Sequence, residues 1–161
     1  MAFVRYRGKT KLMHFPKNST DVQLRDGQLV GLTVQGVLTP VIGDTVVKVL
    51  GVCRQNVATI DSTADVAVEV DVEKAVEWIA TVDSDGTAAN SDVGRFVRVD
   101  TGGTGAQDTS SGLSVDINDC IVTNFCITKV LDTGTDKVIG FISRSLFNGR
   151  PNPGDTTDTS P

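Results

Sequence analysis

The sequence predicts an all-β protein: a compact barrel or sandwich of short strands between an extended N-terminal arm and a C-terminal tail. Three observations predict it. Valine and threonine make up about a quarter of the 161 residues, and β-branched side chains suit the pleated, half-buried surface of a strand. The 16 glycines, with many Asp, Asn, Ser and Thr residues, punctuate the chain with turn signals. Long runs of strong helix formers are absent. A chain of this length supports one packed core, read here as one domain over residues 18–147, with an arm at 1–17 and a tail at 148–161.

The arm stands out by charge. Arg5, Arg7, Lys9, Lys11 and Lys17 lie in a stretch without a single acid, whereas the chain as a whole carries a net charge of −5. Apolar residues are interleaved with them, and the partial alternation suits an extended segment laid on a surface. Phe3, Arg5, Tyr6, Arg7, Lys9, Lys11, Phe15 and Lys17 are therefore the candidate partner-binding residues. Pro16 marks the end of any regular ladder. There is no apolar h-region behind these charges, so a secretory signal is not expected, and no apolar run could cross a bilayer as a helix.

Strand candidates follow in order. DVQL and GQLVGLTV flank the Asp26-Gly27 turn signal, and GVLTPV begins at Gly36. TVVKVLGVCRQNV reads as a buried strand. DVAVEVDVE alternates most cleanly: Val66, Val68, Val70 and Val72 share a core face, while Ala67, Glu69, Asp71 and Glu73 face water or a polar partner. EKAVEWIATV, GRFVRVD, SVDI, CIVTNFCITKVL and KVIGFISRSLF complete the series, with Trp78 as core. Lys48-Val-Leu-Gly-Val-Cys-Arg54 echoes Lys137-Val-Ile-Gly-Phe-Ile-Ser-Arg144, which suggests a duplicated β-unit. The loop at 101–112 is rich in Thr and Gly. The tail NGRPNPGDTTDTSP is extended in character, with Arg150, Pro151 and Pro153 as further candidate contacts.

The chemical motifs fail on spacing or on missing partners. Val130-Leu-Asp-Thr-Gly-Thr135 resembles the Asp-Thr-Gly signature of retroviral-type aspartic proteases, which would make Asp132 a catalytic carboxylate. Too little chain follows Gly134 for the flap and closing strands, and Asp-Thr-Gly between strands is an ordinary turn. Asp83, Asp85 and Asp92 approach calcium-loop spacing, but Thr81 stands at the first ligand position and flanking helices are missing. Gly102-Gly103-Thr104-Gly105 lacks the Lys-Ser/Thr of a phosphate loop. The sole histidine, His14, sits in the arm, away from any cysteine pair or nucleophile. Cys53, Cys120 and Cys126 are an odd number, and within one strand Cys120 and Cys126 would stand about 20 Å apart, too far to bridge. They read as core thiols. No enzyme activity, cofactor or metal is expected. The arm could touch phosphate backbones, but the acidic remainder opposes a polyanion, so direct nucleic-acid binding is not expected.

The stretches DGQLVGL at 26–32, QGVLTPV at 35–41, DVGRFVRVD at 92–100 and KVIGFI at 137–142, behind a short extended N-terminal segment, resemble tailed-bacteriophage capsid decoration (cement) proteins. The likeness spans about two thirds of the chain through short motifs; the 101–112 loop and the acidic tail depart from it. It implies a virion protein, made in the host cytoplasm, that sits on the capsid surface as a homotrimer. There it would clamp neighbouring major capsid protein subunits after shell expansion. The other virion role in view is a head fibre base, tail or neck subunit; the other classes are an Asp132 hydrolase and a carbohydrate-binding module. On this reading, deleting residues 2–17 should leave a folded domain that no longer binds capsids.

Overall fold

A computed structural model describes residues 3–17, 23–32, 36–40, 48–58, 65–73, 76–83, 86–99, 113–118, 125–131 and 136–143. Eleven strands run through them: β1 (Val4–Arg7), β2 (Thr10–Pro16), β3 (Leu29–Leu32), β4 (Leu38–Pro40), β5 (Lys48–Cys53), β6 (Asp65–Asp71), β7 (Glu77–Val82), β8 (Phe96–Val99), β9 (Ser114–Asp116), β10 (Phe125–Val130) and β11 (Lys137–Ile142). The all-β reading holds. Asp132 and the tail residues Arg150, Pro151 and Pro153 lie outside the described residues.

Strands β7 to β11 close into a barrel in the order β7-β11-β10-β8-β9, with β9 returning to β7. Every pairing in that ring is antiparallel except β9 on β7, which is parallel. Strands β2 to β6 form a second sheet in the order β2-β6-β5-β3-β4, antiparallel throughout. An isolated parallel bridge from Lys17 to Leu38 carries the end of β2 back to β4. If the strands of each unit are numbered one to five along the chain, both rings run one-five-four-two-three. In both, strand three meets strand one in parallel. Among the described residues one five-stranded topology is used twice, with β1 added to the second.

The repeat extends to single hydrogen bonds. The Gly27 N–H donates to the Cys53 carbonyl at 2.8 Å and the Cys53 N–H to the Gln28 carbonyl at 2.8 Å. In the second unit the Gly94 N–H donates to the Ile127 carbonyl at 2.8 Å and the Ile127 N–H to the Arg95 carbonyl at 3.0 Å. Gly27 (φ 81°) and Gly94 (φ 89°) both hold the left-handed conformation just before strand two, where a Cβ would be strained. The registers agree around the ring. Leu29 opposite Val52 matches Phe96 opposite Cys126, and Cys53 opposite Val68 matches Ile127 opposite Gly140. Met13 opposite Val68 then matches Trp78 opposite Gly140, so Leu12, Met13 and His14 correspond to Glu77, Trp78 and Ile79.

The duplication expected from the Lys48–Arg54 and Lys137–Arg144 echo is therefore present, but on another alignment. β5 is strand four of the first unit and β11 is strand five of the second. The equivalent segments are Asp26-Gly-Gln-Leu-Val30 and Val93-Gly-Arg-Phe-Val97.

Each unit has its own apolar cluster. Leu24, Val30, Leu38, Leu50, Cys53, Val57, Val66, Val68 and Val70 fill the first, with Met13, Phe15 and Leu32 packed against them. Trp78, Val97, Phe125, Ile127, Val138 and Ile142 lead the second. Leu29, Val49 and Val52 point the other way from their neighbours Val30, Leu50 and Cys53 and join the second cluster. Period-two alternation thus makes the outer face of the first unit a wall of the second unit's core.

The arm is corrected. Residues 4–7 pair with β7 in the second unit and residues 10–16 with β6 in the first, turning at Gly8 (φ 97°). Phe3 is fully buried and packs edge-on against Phe125 at 5.7 Å between ring centroids. The run is short of a continuous amphipathic pattern because its two halves serve different sheets. Residues 4–16 are thus strands of the two sheets, and Phe3 and Lys17, expected to contact a partner, are buried.

Candidate partner-binding surface

The alternation in β6 sets up a polar seam between the units. Val66, Val68 and Val70 enter the core, which turns Glu69 and Asp71 to the opposite face. Val72, expected on the core face, lies past the strand end and is exposed. The acidic face meets a polar partner, and that partner is the chain's own N-terminus and β7. Asp71, fully buried, accepts the Trp78 Nε1–H at 3.0 Å. Glu69 accepts the Thr10 hydroxyl at 2.6 Å and Arg54 Nε at 2.6 Å, with Arg5 Nε at 3.4 Å. Arg5 also donates to Thr10 Oγ1 at 2.7 Å. The Arg54 guanidinium lies 5.7 Å from the Trp78 ring centroid, a cation–π contact, and donates to the Phe3 carbonyl at 3.3 Å.

Burial pushes the Glu69 carboxyl up, but the hydrogen bonds from Thr10 and Arg54 and the charges of Arg54 and Arg5 outweigh it, so its pKa is held below the usual value. A carboxyl depressed in the folded state stabilises the fold above its unfolded pKa and loses that contribution as pH falls through the folded value. Glu69→Gln should therefore lower the urea midpoint near neutrality, by about 2 kcal/mol of stability. The gap between parent and variant should narrow as pH drops below about 4, below the unfolded carboxyl range. A gap unchanged from pH 7 to pH 3 would remove Glu69 from the acid response.

The seam decides which predicted contact residues remain available. Arg5 is engaged with Glu69, and Arg7 forms an ion pair with Glu77, which also accepts the Thr128 hydroxyl at 2.8 Å. Lys17 Nζ donates to the Ala58 carbonyl at 2.8 Å from a buried position. Phe15 is half-buried against the first cluster. Lys9 and Lys11 are exposed and carry no ion pair among the described residues. Val4, Tyr6 and Leu12 are 48%, 49% and 55% exposed. The surface is therefore Val4, Tyr6, Lys9, Lys11 and Leu12, a basic and apolar strip along the last strand of each sheet. Val4 and Leu12 were missed by charge-based reading, although their shared parity with Tyr6 was visible.

Two other motifs find structural uses. Asp92, weighed as a calcium ligand, accepts the Ala89 N–H at 2.8 Å and pairs with Arg95 across a 3-10 turn at Asn90–Asp92. Asp85 lies outside the described residues. Cys53 and Cys126 are buried thiols, and burial pushes the Cys53 thiol up, away from reactivity. Cys120 lies outside the described residues.

No protein-family model matches the chain, and a search of curated proteins returns no match.

Proposed function

We propose that the protein is a virion structural subunit that binds the outer surface of a phage capsid and cements neighbouring major capsid subunits. The observation that carries this reading is the strip on β1 and β2. An acidic protein concentrates acid-free sequence in the two strands that end its sheets, and leaves Val4, Tyr6 and Leu12 in water beside Lys9 and Lys11. Large apolar side chains grouped with cations at a sheet edge suit an acidic protein surface. The likeness of residues 26–32, 35–41, 92–100 and 137–142 to decoration proteins supplies the kind of partner. Repetition over a lattice makes modest single contacts collectively strong.

Cosedimentation with expanded and unexpanded shells of the cognate capsid protein, together with the native mass, tests the proposal. Saturable binding to expanded shells by a trimer is expected. Absence of binding to either shell would overturn it, and a ring of higher order that binds only tail or neck components would favour the other virion role.

A further inference from the structure

The repeat shows an occupied edge in one unit and, among the described residues, the same edge without a partner strand in the other. In the second unit the outer side of strand one, β7, is fully used: β9 pairs with Thr81 and Val82, and β1 pairs with Glu77, Trp78 and Ile79. In the first unit, strand one is β2. Its end is bridged to β4 through Lys17 and Leu38, as β7 is to β9. The stretch Leu12–His14, equivalent to the part of β7 that β1 covers, pairs only with β6 among the described residues.

The main-chain groups that face outward can be identified. The Val72 N–H donates to the Lys9 carbonyl, so Lys9 turns toward β6. The antiparallel ladder alternates, which turns Lys11, Met13 and Phe15 to β6 and Thr10, Leu12 and His14 outward. The same alternation puts Glu77 and Ile79 toward β1, opposite Arg7 and Val4. Leu12 and His14 are exposed.

We propose that the β2 edge at Leu12–His14 receives an extended acidic segment of the capsid subunit as an added antiparallel strand, in the place β1 takes on β7. This rests on the capsid-binding reading. Charge selects the occupant. Lys9 and Lys11 border the edge and Arg7 lies across the Gly8 turn, so a second copy of this acid-free strand would set like charges together, while an acidic strand would be attracted. Leu12 supplies apolar cover for one side chain of the incoming strand, and the main chain of Leu12 and His14 supplies the ladder.

Proline at an outward position removes one outward N–H and no bond to β6. Leu12→Pro and His14→Pro are each expected to weaken binding to expanded shells roughly ten-fold or more. Far-UV circular dichroism and native mass should stay those of the parent. Lys11→Glu, which leaves the backbone intact, should weaken binding in the same direction and reduce its salt dependence. Parent and proline variants binding equally would overturn strand addition and leave capsid binding standing. A fall in native mass in the proline variants would overturn it in favour of self-association. Failure of the parent itself to bind shells would instead overturn the underlying reading.

Discussion

Gly140→Ala is expected to cost about 3 kcal/mol or more, enough to remove much of the stability of a domain this size. The residue sits inside β11, where an added Cβ would overlap the Cys126 carbonyl oxygen of β10 and press on the Phe125 ring. Neither can yield: the carbonyl is sheet backbone, and Phe125 is fully buried and holds Phe3 edge-on. Gly51→Ala should act in the same direction, because its Cβ would overlap the Glu69 carbonyl oxygen across the equivalent pair of strands in the first unit. Gly36 and Gly94 make useful comparisons. Both have positive φ, 77° and 89°, but no atom lies within 4 Å of an added Cβ. Alanine there should cost only about 1–2 kcal/mol of backbone strain. Urea midpoints of the four variants check the order; a Gly140 variant no worse than the Gly94 variant would contradict the close strand approach.

Deleting residues 2–17 is expected to abolish cooperative unfolding altogether. The deletion removes strand one of the first unit and the strand that caps β7, and it takes Phe3 from the second core. Loss of Phe3 alone is worth about 3–5 kcal/mol. It also leaves Glu69 with Arg54 alone and strips Glu77 of Arg7. This reverses the expectation from sequence that the truncated chain folds and merely loses its partner. A sigmoidal urea transition in the truncated protein, close to that of the parent, would show that the N-terminal strands contribute little. Capsid binding must for the same reason be tested with point variants.

The all-β class was legible because it depends on local pattern. Val66, Val68 and Val70 alternate with Glu69 and Asp71, and that alternation survives in β6. Trp78 as core was legible too, from its place in an apolar run. The role of the N-terminal run was not. Its interrupted alternation came from serving two sheets, and the partners that decide it, Glu69, Glu77 and Phe125, are distant in sequence. Positive charge read in isolation pointed to a foreign acidic surface; the nearest acids are the chain's own. The duplication was hidden by a stronger coincidence. Lys48-Val-Leu-Gly and Lys137-Val-Ile-Gly look alike because each strand needs a glycine beneath a neighbouring carbonyl, yet they occupy different places in the ring. The true correspondence rests on Gly27 and Gly94, whose shared left-handed φ is weakly marked in sequence.

The most direct test of the account is residue-resolved amide hydrogen exchange on the free protein across residues 9–16. The account predicts an alternating pattern: slow exchange at Lys11, Met13 and Phe15, which face β6, and fast exchange at Leu12 and His14, which face outward. Uniformly fast exchange through this stretch would place these residues outside the sheet and contradict both the edge and its use.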